Sequence, residues 1–331
     1  MITAIVPVWN GRELLTRLLD TLEAQTLRAE ELLVVDNGST DGAPDLARNR
    51  GARVIAMGRN AGFAAAVNCG IREARGDRIA ILNSDVELAP DYFAILAAAD
   101  GWFATGKILR PGSARGARSP RIDGTFDAMC RGGTAWRVGS GRLDGPMFSS
   151  SCPIASPPWT AVLFRAELFQ RIGYLEESFE SYLEDVDFGL RAARLGLTGF
   201  YVPTAVAWHR GSATLGQWHP GTVRRISRNQ VLLLARHYPG RLLFRWWWPI
   251  LVAQLLWGVV AFRHGSGLAW LRGKFQGLRN FRSARKRSET FDPGLPLQLL
   301  ANEDAICDMQ VSTGFDTYWR WYFLLTGGGA K

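Results

Sequence analysis

The chain has 331 residues, 47% of them apolar and 21% charged, with a formal net charge of +9. That apolar share excludes a disordered chain and supports a sizeable core. The charge is uneven: Phe188–Ser288 contains no Asp or Glu but 17 Lys and Arg, so the rest is acidic overall. Such a basic stretch calls for an anionic partner: a membrane surface, a diphosphate or a nucleic acid.

The N-terminal Met1-Ile2-Thr3-Ala4-Ile5-Val6-Pro7-Val8 enters a strand directly, without the charged leader and cleavage site of a signal peptide. Through residue 100, short apolar runs alternate with helical periodicity. The pattern predicts strands at 3–8, 31–36, 52–57 and 78–83, and helices at about 11–25, 41–50 and 62–75. Runs such as Leu32-Leu33-Val34-Val35 are apolar on both faces, as in a mostly parallel sheet covered by helices on both sides. Asn10, with Glu13 three residues on, supplies a candidate N-cap for the first helix.

Asp36 closes the second strand and Asp85 follows the fourth, placing both at the strand-end edge where open α/β sheets bind ligands. A carboxylate at Asp36 can accept the ring N–H of a uracil or thymine base, or simply close an Asx turn. No Gly-x-Gly-x-x-Gly follows the first strand and no Gly-Lys-Ser/Thr motif occurs, which removes the dinucleotide and P-loop readings. Residues 110–152, rich in Gly, Ser, Arg and Pro, read as long functional loops. Order returns over 159–208, where Trp159 lines an acceptor pocket or fills the core.

One hundred residues beyond Asn83-Ser84-Asp85 comes Glu184-Asp185, at the start of a helical pattern. Ser181 and Glu184 have capping-box spacing, which occupies Glu184 structurally and leaves Asp185, about 100° round the helix, free to act. Asp187 and Arg191, four apart, predict an ion pair on that helix. Neighbouring acids cannot flank a glycosidic bond from opposite sides, so glycoside hydrolysis is excluded. Cys69, Cys130, Cys152 and Cys307 are scattered, without Cys-x-x-Cys spacing, and suit reduced cytosolic thiols better than disulfides or a zinc site.

Beyond residue 240 the character changes. Trp246–Phe262 is a charge-free run of 17 residues between Arg245 and Arg263, interrupted by Pro249, Gln254 and Gly258. It is short of the roughly 20 residues that span a bilayer. Five of the 13 tryptophans, at 246, 247, 248, 257 and 270, cluster here, and seven Lys and Arg follow in Leu271–Arg287. A helical segment lying at an anionic membrane interface fits better than a buried helix followed by a solvated one. The expected division is a catalytic domain over 1–240 and a basic, Trp-rich, membrane-associating region over 241–331.

Taken together, Ile5-Val6-Pro7-Val8-Trp9-Asn10, Val35-Asp36-Asn37-Gly38-Ser39-Thr40-Asp41-Gly42, Asn60-Ala61-Gly62-Phe63-Ala64, Leu82-Asn83-Ser84-Asp85-Val86, Tyr182-Leu183-Glu184-Asp185-Val186-Asp187 and His209-Arg210-Gly211 occur in an ordered series. The series resembles the inverting family 2 glycosyltransferases, particularly the bacterial rhamnosyltransferase branch, over about residues 1–235. The resemblance implies a GT-A fold, a UDP- or dTDP-sugar donor and a divalent metal, Mg²⁺ or Mn²⁺. It implies that Asp36 contacts the base, that Pro7, Asn10, Asn60, Gly62, Asn83 and Ser84 help bind the donor, and that Asp85 and His209 lie at the metal. Asp185 becomes the general base, with Glu184, Trp159 and Arg228 in support. The chain departs from the family pattern at Asn83, where Asp is usual, and at Glu176, where the branch often has Asp.

These readings converge on a peripheral enzyme on the cytoplasmic face of the cell membrane. It would move a sugar, rhamnose among the candidates, to a glycan or polyprenyl-linked acceptor, with no nucleic acid partner. Two alternatives stay open: a polyprenyl-phosphate sugar synthase, in which Asp185 is dispensable, and a non-catalytic membrane- or RNA-binding protein.

Overall fold

The computed structural model describes residues 1–112, 118–211, 216, 218–287 and 291–328. The chain divides into two compact units, Met1–Asp127 with Arg137–Thr214, and Ala128–Trp136 with Leu215–Lys331.

The first unit is built on a mixed, mostly parallel sheet. In spatial order its main strands are Cys152–Ile154, Gly199–His209, Phe103–Pro111, Ala161–Arg165, Arg78–Leu82, Ile2–Val8, Glu31–Asp36 and Arg53–Ala56. The four N-terminal strands pair in parallel. Helices Arg12–Glu23, Ala43–Asn49 and Phe63–Glu73 connect them. Ile5, Leu33 and Val35 join one buried apolar cluster while Ala4, Val6 and Val34 join the other, so both sheet faces are covered. This is the two-sided burial that the unalternating runs imply. Ala161–Arg165 is antiparallel to both of its neighbours.

Three local expectations change. Asn10 does not cap the first helix; Gly11 does, and Asn10 itself sits at φ 59°. Its side-chain oxygen instead accepts from Thr40 N at 2.9 Å, tying the first strand's end to the loop after the second. Residues 110–152 are not all loop, for Arg118–Gly124 pairs antiparallel with Phe103–Pro111. The Glu184–Arg194 helix has no capping box: Leu183, at φ 68°, holds the N-cap position without a side-chain hydrogen bond, and Glu184 is the first helical residue rather than the third.

In the second unit, helix Pro220–His237 packs against Gly267–Lys286. A Cβ at Gly273 or Gly277 would collide with the backbone at Arg224 or Arg228. Those glycines permit a close approach that side chains would prevent. The contact draws Pro220–His237 into this unit, so the division falls ahead of that helix rather than after residue 240. Among the described residues, no helix is long and apolar enough to cross a membrane.

Candidate active site

The strand ends of the first unit gather most of the expected donor residues. Asp36 is buried, and its Oδ1 accepts from Ser39 N at 2.9 Å, so the Asx turn is present. Asn10 N donates to Ser39 Oγ at 2.9 Å. Pro7 lies in the first strand opposite Val35. Asn60 Oδ1 accepts from Asn37 Nδ2 at 3.2 Å, and Asn37 also donates to Gly62 O at 3.1 Å and accepts from Ala61 N at 2.8 Å. Asn37 therefore staples the second strand's end to the loop before the third helix. Sequence reasoning missed that role, because an Asn followed by Gly reads as an ordinary turn.

Asp85 and His209 meet, with Nε2 to Oδ1 at 3.2 Å. His209 ends its strand in antiparallel register with Val86, which carries the ring to the loop containing Asp85. On the ring's other side Nδ1 is 2.8 Å from Asp123 Oδ2. Burial opposes charge on this histidine, yet Asp123 and Asp85 outweigh it and raise its pKa to about 9. Asn83 Nδ2 is 3.5 Å from the same Nε2, and Ser84 lies between Asn83 and Asp85. Asp123 is the residue that orients the imidazole, and it sits in a Gly- and Arg-rich stretch whose composition masks the strand around it.

The donor set suits a divalent cation. An imidazole nitrogen faces a carboxylate while a second carboxylate takes the other ring nitrogen, the arrangement that fixes a metal-binding histidine's tautomer. Among the described residues, no group of three or more His, Cys, Asp or Glu is disposed to enclose an ion. An ion here would be held by Asp85 and His209 and completed by oxygens of a diphosphate.

The second acidic centre is at the Glu184–Arg194 helix. Asp185 Oδ2 accepts from Arg137 Nη2 at 3.3 Å, and Arg137 Nε donates to Asp127 Oδ1 at 3.3 Å. Burial and the nearby Asp127 raise the pKa of Asp185 to about 7 against the pull of Arg137. Glu184 is buried with an unpartnered Oε2, and desolvation together with Asp185 pushes its pKa well above the usual carboxylate range. Glu184 is thus a buried acid whose neutral form is favoured, rather than a cap. Asp187 and Arg191 do pair, at 3.0 Å, with the Asp187 carboxylate fully buried. A buried pair of this kind costs far more to break than an exposed helical one.

The backbone before this helix is unusual. Glu180, Tyr182 and Leu183 all have positive φ, and three such non-glycine residues in four positions store strain. The opposing Gly62, at φ 93°, holds this segment close: Ala64 N donates to Glu180 O at 3.0 Å, and a Cβ on Gly62 would lie 2.8 Å from that oxygen. Glycine is required there on both counts.

A chain of contacts joins the two centres. From Asp185 it runs to Arg137, whose Nη1 is 3.4 Å from Thr160 Oγ1. Thr160 O accepts from Asn83 N at 2.9 Å, and Asn83 reaches His209 and so Asp85. Two supporting residues are buried within their own units. Trp159 is a core residue, packed on Phe164 and Phe188 with ring centroids at 4.8 and 4.9 Å, rather than a pocket wall. Arg228 is buried in the second unit, its Nε donating to Asn229 Oδ1 at 2.9 Å.

Residues 3–123 match the model described as glycosyl transferase family 2. Over those residues the chain is similar to that family. An N-acetylglucosaminyl-diphospho-decaprenol L-rhamnosyltransferase of Mycobacterium tuberculosis is 28% identical over 275 residues, covering 75% of this chain and 87% of that protein. An undecaprenyl-phosphate 4-deoxy-4-formamido-L-arabinose transferase of Pseudomonas aeruginosa is 34% identical over 119 residues, 33% of this chain and 35% of that one. Among solved structures, GalNAc-T7 with UDP, GalNAc and Mn²⁺ aligns with a TM-score of 0.62 at 13% identity, over 95% of this chain and 58% of that chain. A mannosyltransferase from Pyrobaculum calidifontis with GDP-Man and Mn²⁺ gives 0.52 at 18%, over 100% and 88%. These two likenesses establish the fold: the chain has the GT-A architecture.

Proposed function

We propose that this glycosyltransferase moves a sugar from a nucleoside-diphosphate donor to a hydroxyl of a lipid-linked acceptor, with inversion at the anomeric carbon. The observation that carries this reading is the continuous contact chain from Asp185 to Asp85, which couples a proton-accepting centre to a donor-binding centre. Asp36 and the Asn10, Asn37 and Asn60 turns hold the nucleoside, while Asp85 and His209 face the diphosphate. A divalent metal bound there would neutralise charge building on the leaving diphosphate. Asp185 accepts the acceptor hydroxyl proton; a base whose pKa lies near the operating pH is best suited to that step.

Likeness to the rhamnosyltransferase over three-quarters of the chain favours a polyprenyl-diphosphate-linked sugar as acceptor and rhamnose as the transferred unit. The shorter likeness to the arabinose transferase supports a second reading, direct transfer to polyprenyl phosphate. A phosphate acceptor needs no base, so the two readings diverge on whether Asp185 is needed. Screening UDP- and dTDP-sugars for release of nucleoside diphosphate, with a synthetic polyprenyl-diphosphate-GlcNAc or polyprenyl phosphate as acceptor, tests the function. Turnover only with polyprenyl phosphate would select the second reading, and turnover with neither would overturn both.

The second unit supplies a route to such acceptors. Along the Trp247–Arg263 helix, Trp247, Leu251, Leu255, Val259 and Phe262 are exposed at helical spacing. Along Gly267–Lys286, Leu268, Leu271, Phe275 and Leu278 do the same among basic residues. An apolar stripe bordered by Arg and Lys matches an anionic membrane surface, bound peripherally. Of the five clustered tryptophans only Trp247 and Trp248 are exposed; Trp246 is buried, and Trp257 Nε1 is tied to Ser227 Oγ at 3.0 Å.

A further inference from the structure

We propose that Asp127 is a positioning residue that forms, with Asp185, a carboxyl pair holding one proton beneath the Arg137 guanidinium. The inference rests on Asp185 being the base and adds a partner for its proton.

Backbone pairing builds the pair. Val138 N donates to Phe126 O at 2.8 Å and Thr125 N to Val138 O at 3.1 Å, which sets Asp127 and Arg137 side by side. Arg137 then spreads its three nitrogens over Asp127, Asp185 and Thr160. The Asp127 side chain is only 6% exposed, and its Oδ2, which meets no N–H or hydroxyl donor, is buried. The carboxyl that shares Arg137 with it is that of Asp185, and Asp127 raises the proton affinity of that group. Two buried carboxylates that share one guanidinium repel each other when both are ionised, so a proton held between them stabilises the pair. Asp185 also faces Glu184 from its own helix, an acid whose neutral form is favoured, and Asp123 acts on the site through Arg137. One cation therefore serves more carboxyl groups than it can hold ionised.

The role in transfer follows. As the acceptor oxygen bonds to the anomeric carbon, the bond from that carbon to the donor's diphosphate oxygen breaks and the diphosphate leaves with the electron pair. The acceptor's proton passes to Asp185, which then donates a hydrogen bond to the Asp127 carboxylate. The Asp127 side chain beside Arg137 makes Asp185 a stronger base than an isolated aspartate.

The test is the pH dependence of kcat/KM for wild type, Asp127→Asn and Arg137→Gln. The side-chain amide introduced by Asp127→Asn would donate to the ionised Asp185, so the acid limb should fall by about 1–3 pH units. Arg137→Gln removes the cation and should move it upward. Opposite displacements support the pair, whereas an unmoved limb, or two shifts in one direction, overturns it. If Asp127→Asn does not fold, Asp127→Ser should show the same downward displacement, and an unmoved limb there counts equally against the pair. Asp185→Asn separates the two claims: its full activity would sink the base assignment itself, whereas its inactivity beside an unmoved limb in the Asp127 variants would sink only the pair.

Discussion

Two acidic centres of the first unit use the same residue types for opposite ends. At Asp85, His209 and Asp123, one imidazole bridges two carboxylates with Arg110 beside Asp123, and these cationic neighbours hold the Asp123 carboxyl below its usual range. At Asp127, Glu184 and Asp185, one guanidinium serves three carboxyl groups in a buried setting, and Glu184 and Asp185 hold their protons more tightly than ordinary carboxyls. Carboxylates bridged by an imidazole favour binding a cation; an excess of buried carboxyl groups over cations favours taking up a proton. Separating the environments of paired titratable groups is how one fold assigns acid, base and electrostatic roles.

The comparison breaks most visibly at Asp185. Asp185→Asn should lower turnover about 10²–10⁴-fold, the usual contribution of general base catalysis. Its melting temperature should hold, since replacing a partly protonated buried acid by an isosteric amide leaves no charge unpaired. Chelation should have a comparable effect through the other centre: removing divalent metal should abolish nucleoside diphosphate release, and adding Mg²⁺ or Mn²⁺ should restore it. Full activity in excess chelator would contradict the role given to Asp85 and His209.

A smaller effect concerns pH. With the base pKa at about 7, wild-type kcat/KM should fall about tenfold per unit as pH drops below that value. A plateau extending down to pH 5 would show that Asp185 is ionised like an ordinary carboxylate. Smaller again is Glu184→Gln, which should retain activity. Because the folded-state pKa of Glu184 is raised, the unfolded chain gives up this proton first as pH rises. Stability is therefore full below the ordinary glutamate range and declines as pH climbs towards the raised value. Thermal melts between pH 5 and 8 should show wild type losing more stability than Glu184→Gln; parallel curves would place the proton elsewhere.

The donor side of this account was legible in the sequence. Its residues stand at the ends of apolar parallel strands, where position alone implies a binding edge, and Asp36, Asn83 and Asp85 lie there. Asp123, Asp127 and Arg137 were not legible. They occupy short strands in a Gly- and Arg-rich stretch, and their meeting with His209 and Asp185 depends on pairing across tens of residues. The capping box at Ser181 failed for a related reason: Tyr182 and Leu183 take positive φ and Ser181 Oγ accepts from Phe63 N at 3.3 Å, a contact across more than a hundred residues that no local spacing reveals. Arg228 stood as a supporting residue through the resemblance alone; the close approach of Gly273 and Gly277 buries its helix within the second unit.

The central claim is that the two centres do separate work, and donor affinity measured beside turnover in Asp85→Asn and Asp185→Asn tests it most directly. By titration calorimetry with the productive nucleotide sugar and Mn²⁺, Asp85→Asn should lose both donor affinity and turnover. Asp185→Asn should bind the donor as wild type does while failing to transfer. Loss of donor affinity in Asp185→Asn, or intact transfer in it, would contradict the account.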